Sequence, residues 1–307
     1  MADRAAELGL LVMAYGTPAA PDEIEPYYTH IRHGRPPTPE QLAELAGRYQ
    51  AIGGTSTLAA RTEAQRAALA AALEAAEPGR WAVALGQKHA APFVEDGVAT
   101  LADAGVRGVV GLVLAPHYSR ASVGEYQQRL RAAAEPRRLA VATIDSWHLE
   151  PTYVAFLAAA VRYGLAALPE HTKVLFTAHS LPERVLVDDP YPAQLRESAA
   201  AAAGAAGLDR WAGWSLAWQS AGRTPEPWVG PDVAKVVADL AATGRAEGVL
   251  VCPQGFVSDH LEVAYDLDLA CRATAEAAGL AFGRTRVLND DPAVMAALAA
   301  RVRAVAP

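Results

Sequence analysis

Short runs of β-branched and leucine-rich residues alternate along the chain with longer stretches of helical period, the pattern expected when helices cover both faces of a parallel sheet. Strands are predicted at residues 8–14, 81–85, 108–114 and 139–144, then at 173–177, 213–218, 248–251 and 281–287. Helices between them are predicted to start near Pro92, Ser122, Pro151, Tyr191, Pro231, Asp259 and Asp291. The pattern therefore reads as α/β, with two similar Rossmann-like lobes, 1–150 and 151–307, each a four-stranded parallel sheet flanked by helices. A cleft between such lobes is the default place for a ligand. One excursion interrupts the first lobe. Residues 21–33 look helical, Gly34-Arg35-Pro36-Pro37-Thr38-Pro39 breaks the pattern, 40–49 is helical again, and Gly53-Gly54-Thr55-Ser56-Thr57 is a loop. A sheet does not need this insertion, about 21–58, so it is expected to form one lip of the cleft.

Composition narrows the function classes. A hydrophobic fraction of 52% against 20% charged residues is that of a packed protein, which excludes a disordered chain. The formal charge of −7 supplies no basic field for a nucleic-acid backbone, and no local motif compensates for it. Two cysteines, Cys252 and Cys271, are too few for a disulfide framework and lack zinc-site spacing, so the chain reads as cytoplasmic. The stretch from Met1 to Leu8 has no apolar signal core, and no run has the roughly 20 apolar residues of a membrane span.

Nucleotide chemistry fails on inspection. Tyr15-Gly16-Thr17-Pro18 after the first strand is not GxGxxG, and no GxxxxGK[ST] is present. There is no GxSxG elbow, and Ala178-His179-Ser180 places a histidine beside a serine without the separation a triad needs. What remains is a set of polar residues at the C-terminal ends of strands, where open α/β sheets hold their ligands. His179 ends an apolar run; a single histidine there is as often a satisfied structural residue as a ligand or base. Asp259-His260-Leu261-Glu262-Val263-Ala264-Tyr265-Asp266 opens a helix after the seventh strand, with Glu262 and Asp266 four residues apart on one face. Acidic residues in a first turn are commonly capping charges. Both segments, however, belong to the second lobe, where an imidazole and a carboxylate could converge on a divalent metal that is bound loosely and passed on. The insertion adds Tyr27, Tyr28, Arg32, Arg35, Arg48 and Tyr49 to Tyr15 at the first strand's end. Rings and guanidinium groups together suit a flat polycarboxylate; the plain alternative is that the rings pack the insertion onto the lobe and the arginines are solvated.

With these residues in view the chain resembles the ferrochelatases, and within them the coproporphyrin III ferrochelatases of bacteria, over nearly its full length. The matching segments include Leu11-Val12-Met13-Ala14-Tyr15-Gly16-Thr17-Pro18, Tyr27-Tyr28-Thr29-His30-Ile31-Arg32, Arg48-Tyr49-Gln50-Ala51-Ile52-Gly53-Gly54, Ala178-His179-Ser180-Leu181-Pro182, Trp218-Gln219-Ser220, Pro227-Trp228-Val229-Gly230-Pro231 and Gly255-Phe256-Val257-Ser258-Asp259-His260-Leu261-Glu262. The resemblance implies a chelatase-like fold with a porphyrin cleft and insertion of Fe2+ into coproporphyrin III to give coproheme, a step of heme biosynthesis. It also implies that His179 and Glu262 are the catalytic and metal-site pair, with Asp266 as a possible outer relay. Tyr15 would be the axial partner of product iron, and Arg32, Arg48, Tyr49, Ser56 and Tyr126 would contact the macrocycle or its propionates.

Three departures stand out. Related proteins often read Gly-Gly-x-Ser-Pro where this chain has Gly53-Gly54-Thr55-Ser56-Thr57, which keeps Ser56. Ala270 stands where related enzymes extend the acidic ladder beyond Asp266. The four-cysteine iron–sulfur cluster of some relatives is not expected on two cysteines. The partners expected are coproporphyrin III, Fe2+ and, transiently, the next enzyme of the pathway, with the chain a monomer and no cofactor permanently bound. The competing readings are a protoporphyrin IX ferrochelatase, a cobalt or nickel chelatase for another tetrapyrrole, and a non-catalytic heme or coproheme carrier using Tyr15.

Overall fold

A computed structural model describes residues 6–208, 213–222 and 224–307; residues 1–5 of the N-terminal stretch read above lie outside it. The first sheet is built from β1 (Leu8–Ala14), β2 (Trp81–Gln87), β3 (Gly108–Val113) and β4 (Ala140–Ile144), all parallel, in the order β2-β1-β3-β4. Every residue of β1 is buried. Its unbroken apolar run is what a central parallel strand covered on both faces requires. α1 (Ile24–Ile31) and α2 (Pro39–Ala51) form the insertion, and α3 (Leu58–Ala76) follows it. Thr38 caps α2 through a reciprocal capping box with Gln41, so the Gly34-to-Pro39 break ends in a strong helix start. α4 (Val94–Asp103) turns Val94, Gly97, Val98 and Leu101 inward. A Cβ on Gly97 would lie 2.6 Å from the Leu85 carbonyl oxygen, so the glycine is what lets helix and strand approach. α5 (Val123–Ala134) packs on β3 and β4.

The second sheet repeats the same order: β5 (Thr172–His179), β6 (Trp214–Gln219), β7 (Gly248–Cys252) and β8 (Ala281–Arg284) pair in parallel as β6-β5-β7-β8. α6 (Pro151–Leu165), α7 (Tyr191–Ala206) and α8 (Val233–Ala242) accompany it, and α7 stops at Gly207 in the left-handed conformation, φ 79°. After β7 comes a departure from the expected α-helix. Residues Val263–Cys271 form a π-helix, with α9 (Arg272–Ala277) continuing from it. Val263, Leu267 and Cys271 are fully buried in the cluster that contains Leu175, Val249 and Val251, so this face is anchored by core packing at roughly 1.5–3 kcal/mol per large side chain. Glu262 and Asp266, one residue earlier in the same four-residue step, fall on the neighbouring face.

The chain divides into two compact units. One compact unit comprises the residues up to 115, 121–146 and 289–307; the other comprises 116–120 and 147–288. The last segment returns to the first unit because α10 (Pro292–Ala304) buries Val294, Met295, Leu298, Ala299 and Val302 and packs on α3. Gln65 Nε2, fully buried on α3, donates to the Asn289 carbonyl at 2.9 Å, and Arg303 pairs with Glu77 at 3.5 Å. These ties cross more than two hundred residues of sequence, which local patterning does not register.

Candidate functional site

In the second sheet the strand order reverses direction between β5 and β7, the switch point at which open α/β sheets place ligands. His179 is the last residue of β5, in register with Gln219 on β6. Its carbonyl accepts from the Tyr191 hydroxyl at 3.2 Å, and its Nδ1 lies 2.5 Å from the Ser180 carbonyl, to which it donates. That bond leaves Nε2 pointing at Glu262, with Nε2 3.4 Å from Oε1. The other carboxylate oxygen lies 3.6 Å from His260 Nε2, and His260 Nδ1 donates to the Ser258 carbonyl at 3.1 Å. Phe256 lies beside both imidazoles, its ring 4.9 Å from His260 and 6.4 Å from His179.

Charge follows from this geometry. Burial acts to lower the His179 pKa, but the Glu262 charge and contact, the Ser180 carbonyl and the Asp266 charge outweigh it and raise the value to about 9. Glu262 shows the mirror image: burial pushes it up, and the imidazoles of His179 and His260 hold it well below the ordinary carboxylate range. The pair is thus an imidazolium and a carboxylate at neutral pH, with each side chain about one-third exposed. Asp266 accepts from the Ser220 hydroxyl at 2.5 Å, and Gln219 Nε2 donates to the Glu262 carbonyl at 3.3 Å. Ser220 adopts φ 59°, a left-handed conformation unusual for serine, to make its bond. The expected common face of Glu262 and Asp266 survives the change of helix type, because four residues fall slightly short of one turn of the wider π-helix. Among the described residues no group of three or more His, Cys, Asp or Glu is arranged to hold a metal. His179 and Glu262 together offer one imidazole nitrogen and one carboxylate, fewer donors than the four that close a structural metal site.

The residues expected to contact the macrocycle lie in the first unit. Tyr15 follows β1 and is 44% exposed. The insertion docks back onto this strand end: Tyr27 donates to the Gly16 carbonyl at 3.2 Å, and the Tyr49 hydroxyl lies 3.3 Å from that of Thr17. Tyr49 and Tyr126 are buried. Burial raises the Tyr126 phenol well above its usual range, and Lys88 lies over its ring at 5.6 Å. Arg48 pairs with Glu44 at 3.5 Å along α2, Arg32 Nε donates to the Arg35 carbonyl at 3.2 Å, and the Ser56 hydroxyl accepts from Leu58 N at the start of α3. The packing role weighed for the insertion's aromatics is thus real for Tyr27 and Tyr49.

The ferrochelatase family model matches residues 7–306. The chain belongs to the ferrochelatase family. The coproporphyrin III ferrochelatase of Geobacillus kaustophilus (strain HTA426) is 45% identical over 303 residues, 96% of this chain and 94% of that protein. The coproporphyrin III ferrochelatase of Bacillus subtilis (strain 168) is 42% identical over 300 residues, 95% of this chain and 96% of its own length. Two solved structures share the fold. CbiX, the terminal enzyme for siroheme biosynthesis in denitrifying bacteria, matches with a TM-score of 0.56 at 17% identity, covering 96% of this chain and 98% of its own. The sirohydrochlorin chelatase SirB from Bacillus subtilis subspecies spizizenii matches at 0.52 and 12% identity, covering 97% and 95%.

Within this member of the family, sequence reading passed over four residues. His260 was quoted in a motif without a role, yet it shares the Glu262 carboxylate. Gln219 and Ser220, at the end of β6, hold the two acidic residues from behind. His89 follows β2 and lies against Tyr15, with ring centroids 4.6 Å apart. Gln219, Ser220 and His89 stand at or just after strand ends, where the strand-end rule applied to every strand marks them; His260 lies eight residues beyond β7 and has no such signal.

Proposed function

We propose that this ferrochelatase inserts Fe2+ into coproporphyrin III to form coproheme, as a step of heme biosynthesis. The observation that carries this reading is the identity of 41–45% with relatives that share that substrate in their names, over nearly the whole chain. The His179–Glu262 pair supplies the chemistry such a reaction asks for. Metallation exchanges two pyrrole N–H protons for one dication, so a site must strip water from iron, hold it briefly and accept protons. The Glu262 carboxylate attracts the dication, and the His179 Nε2 lone pair either ligates it or takes a proton, since both roles use the same electrons. Asp266, held by Ser220, extends the carboxylate path outward. Tyr15 is assigned to product iron, and Arg32, Arg48, Tyr49, Ser56 and Tyr126 to the macrocycle and its propionates; bending the ring draws on those peripheral contacts.

The reaction needs no resident cofactor, and Cys252 and Cys271, both buried, do not make a four-thiolate cluster site. Among the described residues no helix is long and apolar enough to cross a membrane. We place the enzyme in the cytoplasm as a monomer that hands coproheme to the next enzyme of the pathway. Anaerobic mixing with Fe2+ and each porphyrin, followed in the Soret and Q bands, tests the assignment. Rapid metallation of coproporphyrin III with slow turnover of protoporphyrin IX is expected. Equal turnover of both would remove the substrate assignment, and binding of coproheme without any metallation would make the protein a carrier.

A further inference from the structure

The first unit holds a histidine pair that the mechanism above does not use, and it lies against Tyr15. The β1–β2 ladder runs on past both strand ends: Lys88 N donates to the Ala14 carbonyl and His89 N to the Tyr15 carbonyl, each at 2.9 Å. Gly16 makes this approach possible. Its φ is 92°, and a Cβ there would lie 2.8 Å from the Ala90 Cβ and 2.9 Å from the Ala90 nitrogen. The side chains follow the backbone, with the His89 ring 4.6 Å from the Tyr15 ring at an interplanar angle of 55°. His89 is buried, while Tyr15 is largely open.

From α1, His30 reaches the same ring. Its Nδ1 lies 2.9 Å from the His89 Nδ1, and its own ring stacks on Phe93 at 5.3 Å and 24°. Two Nδ1 atoms at this distance bond only if one carries a hydrogen and the other offers its lone pair, so each ring fixes the tautomer and the plane of the other.

We propose that His30 and His89 are positioning residues for Tyr15: the Nδ1–Nδ1 hydrogen bond fixes the His89 ring, and that ring fixes the plane in which the Tyr15 phenol meets product iron. This rests on the assignment of Tyr15 as the iron ligand. It gives the insertion a second task, reaching the metal-ligating tyrosine through two imidazole rings in addition to meeting the propionates.

The test loads wild type, Tyr15→Phe, His30→Ala, His30→Gln and His89→Gln with ferric coproheme and records the phenolate-to-iron charge-transfer band. His30 is exposed, so its variants leave the core intact. Tyr15→Phe is expected to lose the band, His30→Ala and His89→Gln to lose at least half of it through mixed ligation, and His30→Gln to recover most of what the alanine loses. Affinity for metal-free coproporphyrin III should stay within about threefold in all the His30 variants, which separates positioning of the ligand from loss of the binding surface. A full band in both His30→Ala and His89→Gln, with the band lost in Tyr15→Phe, overturns the inference and leaves the tyrosine assignment standing. An unchanged spectrum in Tyr15→Phe removes the assignment and the inference together.

Discussion

On the proposed assignment of His179 as an iron ligand, iron and a proton compete for one lone pair, and the raised pKa sets the terms. With a value of about 9, the imidazole is neutral in about one molecule in a hundred at pH 7 and about one in ten at pH 8. The proton is held by the metal-free site and released when iron takes Nε2, so iron binding strengthens as pH rises and levels off above about 9. KM for Fe2+ should therefore fall nearly tenfold between pH 7 and pH 8. Glu262→Gln is the diagnostic perturbation. It removes the charge 3.4 Å from Nε2 that reverses the effect of burial. Burial then dominates, His179 is neutral at both pH values, and the slope vanishes. The signature is the slope and not the absolute affinity, because the amide removes a proton competitor and an iron ligand at once. Anaerobic initial rates at saturating coproporphyrin III give KM, and an indicator in weak buffer without porphyrin gives the protons released. About one proton per iron bound is expected for wild type at pH 7, and close to none for the glutamine variant. A flat wild-type KM from pH 7 to pH 8, or the same slope in both proteins, would refute the reasoning.

Other outcomes follow from the same structure. His179→Ala should abolish iron insertion while coproporphyrin III affinity stays within about tenfold in fluorescence titration, since the peripheral contacts are untouched. Ser220→Gly should be no less stable to urea, because glycine accepts φ 59° freely, yet should raise KM for iron by releasing Asp266. Gly97→Ala should cost about 1–3 kcal/mol in urea unfolding, because the new methyl meets the Leu85 carbonyl oxygen at 2.6 Å, which is backbone and cannot swing away, as well as the Leu11 side chain at 2.5 Å. Arg48→Ala should shrink the preference for coproporphyrin III over protoporphyrin IX in kcat/KM, a charge-assisted contact contributing about 1.5–3 kcal/mol; an unchanged ratio would remove Arg48 from propionate recognition.

Strands were legible because each is a short apolar run closed by polar residues, and β1 occupies the residues expected of it, 8–14. β8 is shorter than the pattern suggested, ending at Arg284, where the side chain turns to Asp268 in a two-point ion pair. The π-helix was not legible. Val263, Leu267 and Cys271 recur every four residues, which an α-helix tolerates equally, so apolar spacing alone does not distinguish the two. Within the site, His179 and Glu262 could be picked out because each is a polar residue following a buried run. Ser220 and Gln219 also stand at a strand end, but the bonds that give them their value reach residues more than forty positions away, which local patterning does not register. The return of α10 to α3 escaped for the same reason.

That return has a consequence for how the chain is made. The second unit is a single excursion, 147–288 with a short loan from 116–120, and its sheet can close as soon as β8 has emerged. The first unit begins earlier and finishes later. β1 precedes the whole second unit in the chain, yet the apolar flank of α3 waits for α10, which follows that unit. During synthesis the half carrying His179 and Glu262 can therefore be folded while the half carrying Tyr15 still exposes the surface of α3 that α10 covers. Chains truncated just short of α10 and released from the ribosome should show a protease-resistant later half and a cleavable earlier one, an order of maturation opposite to the order of translation.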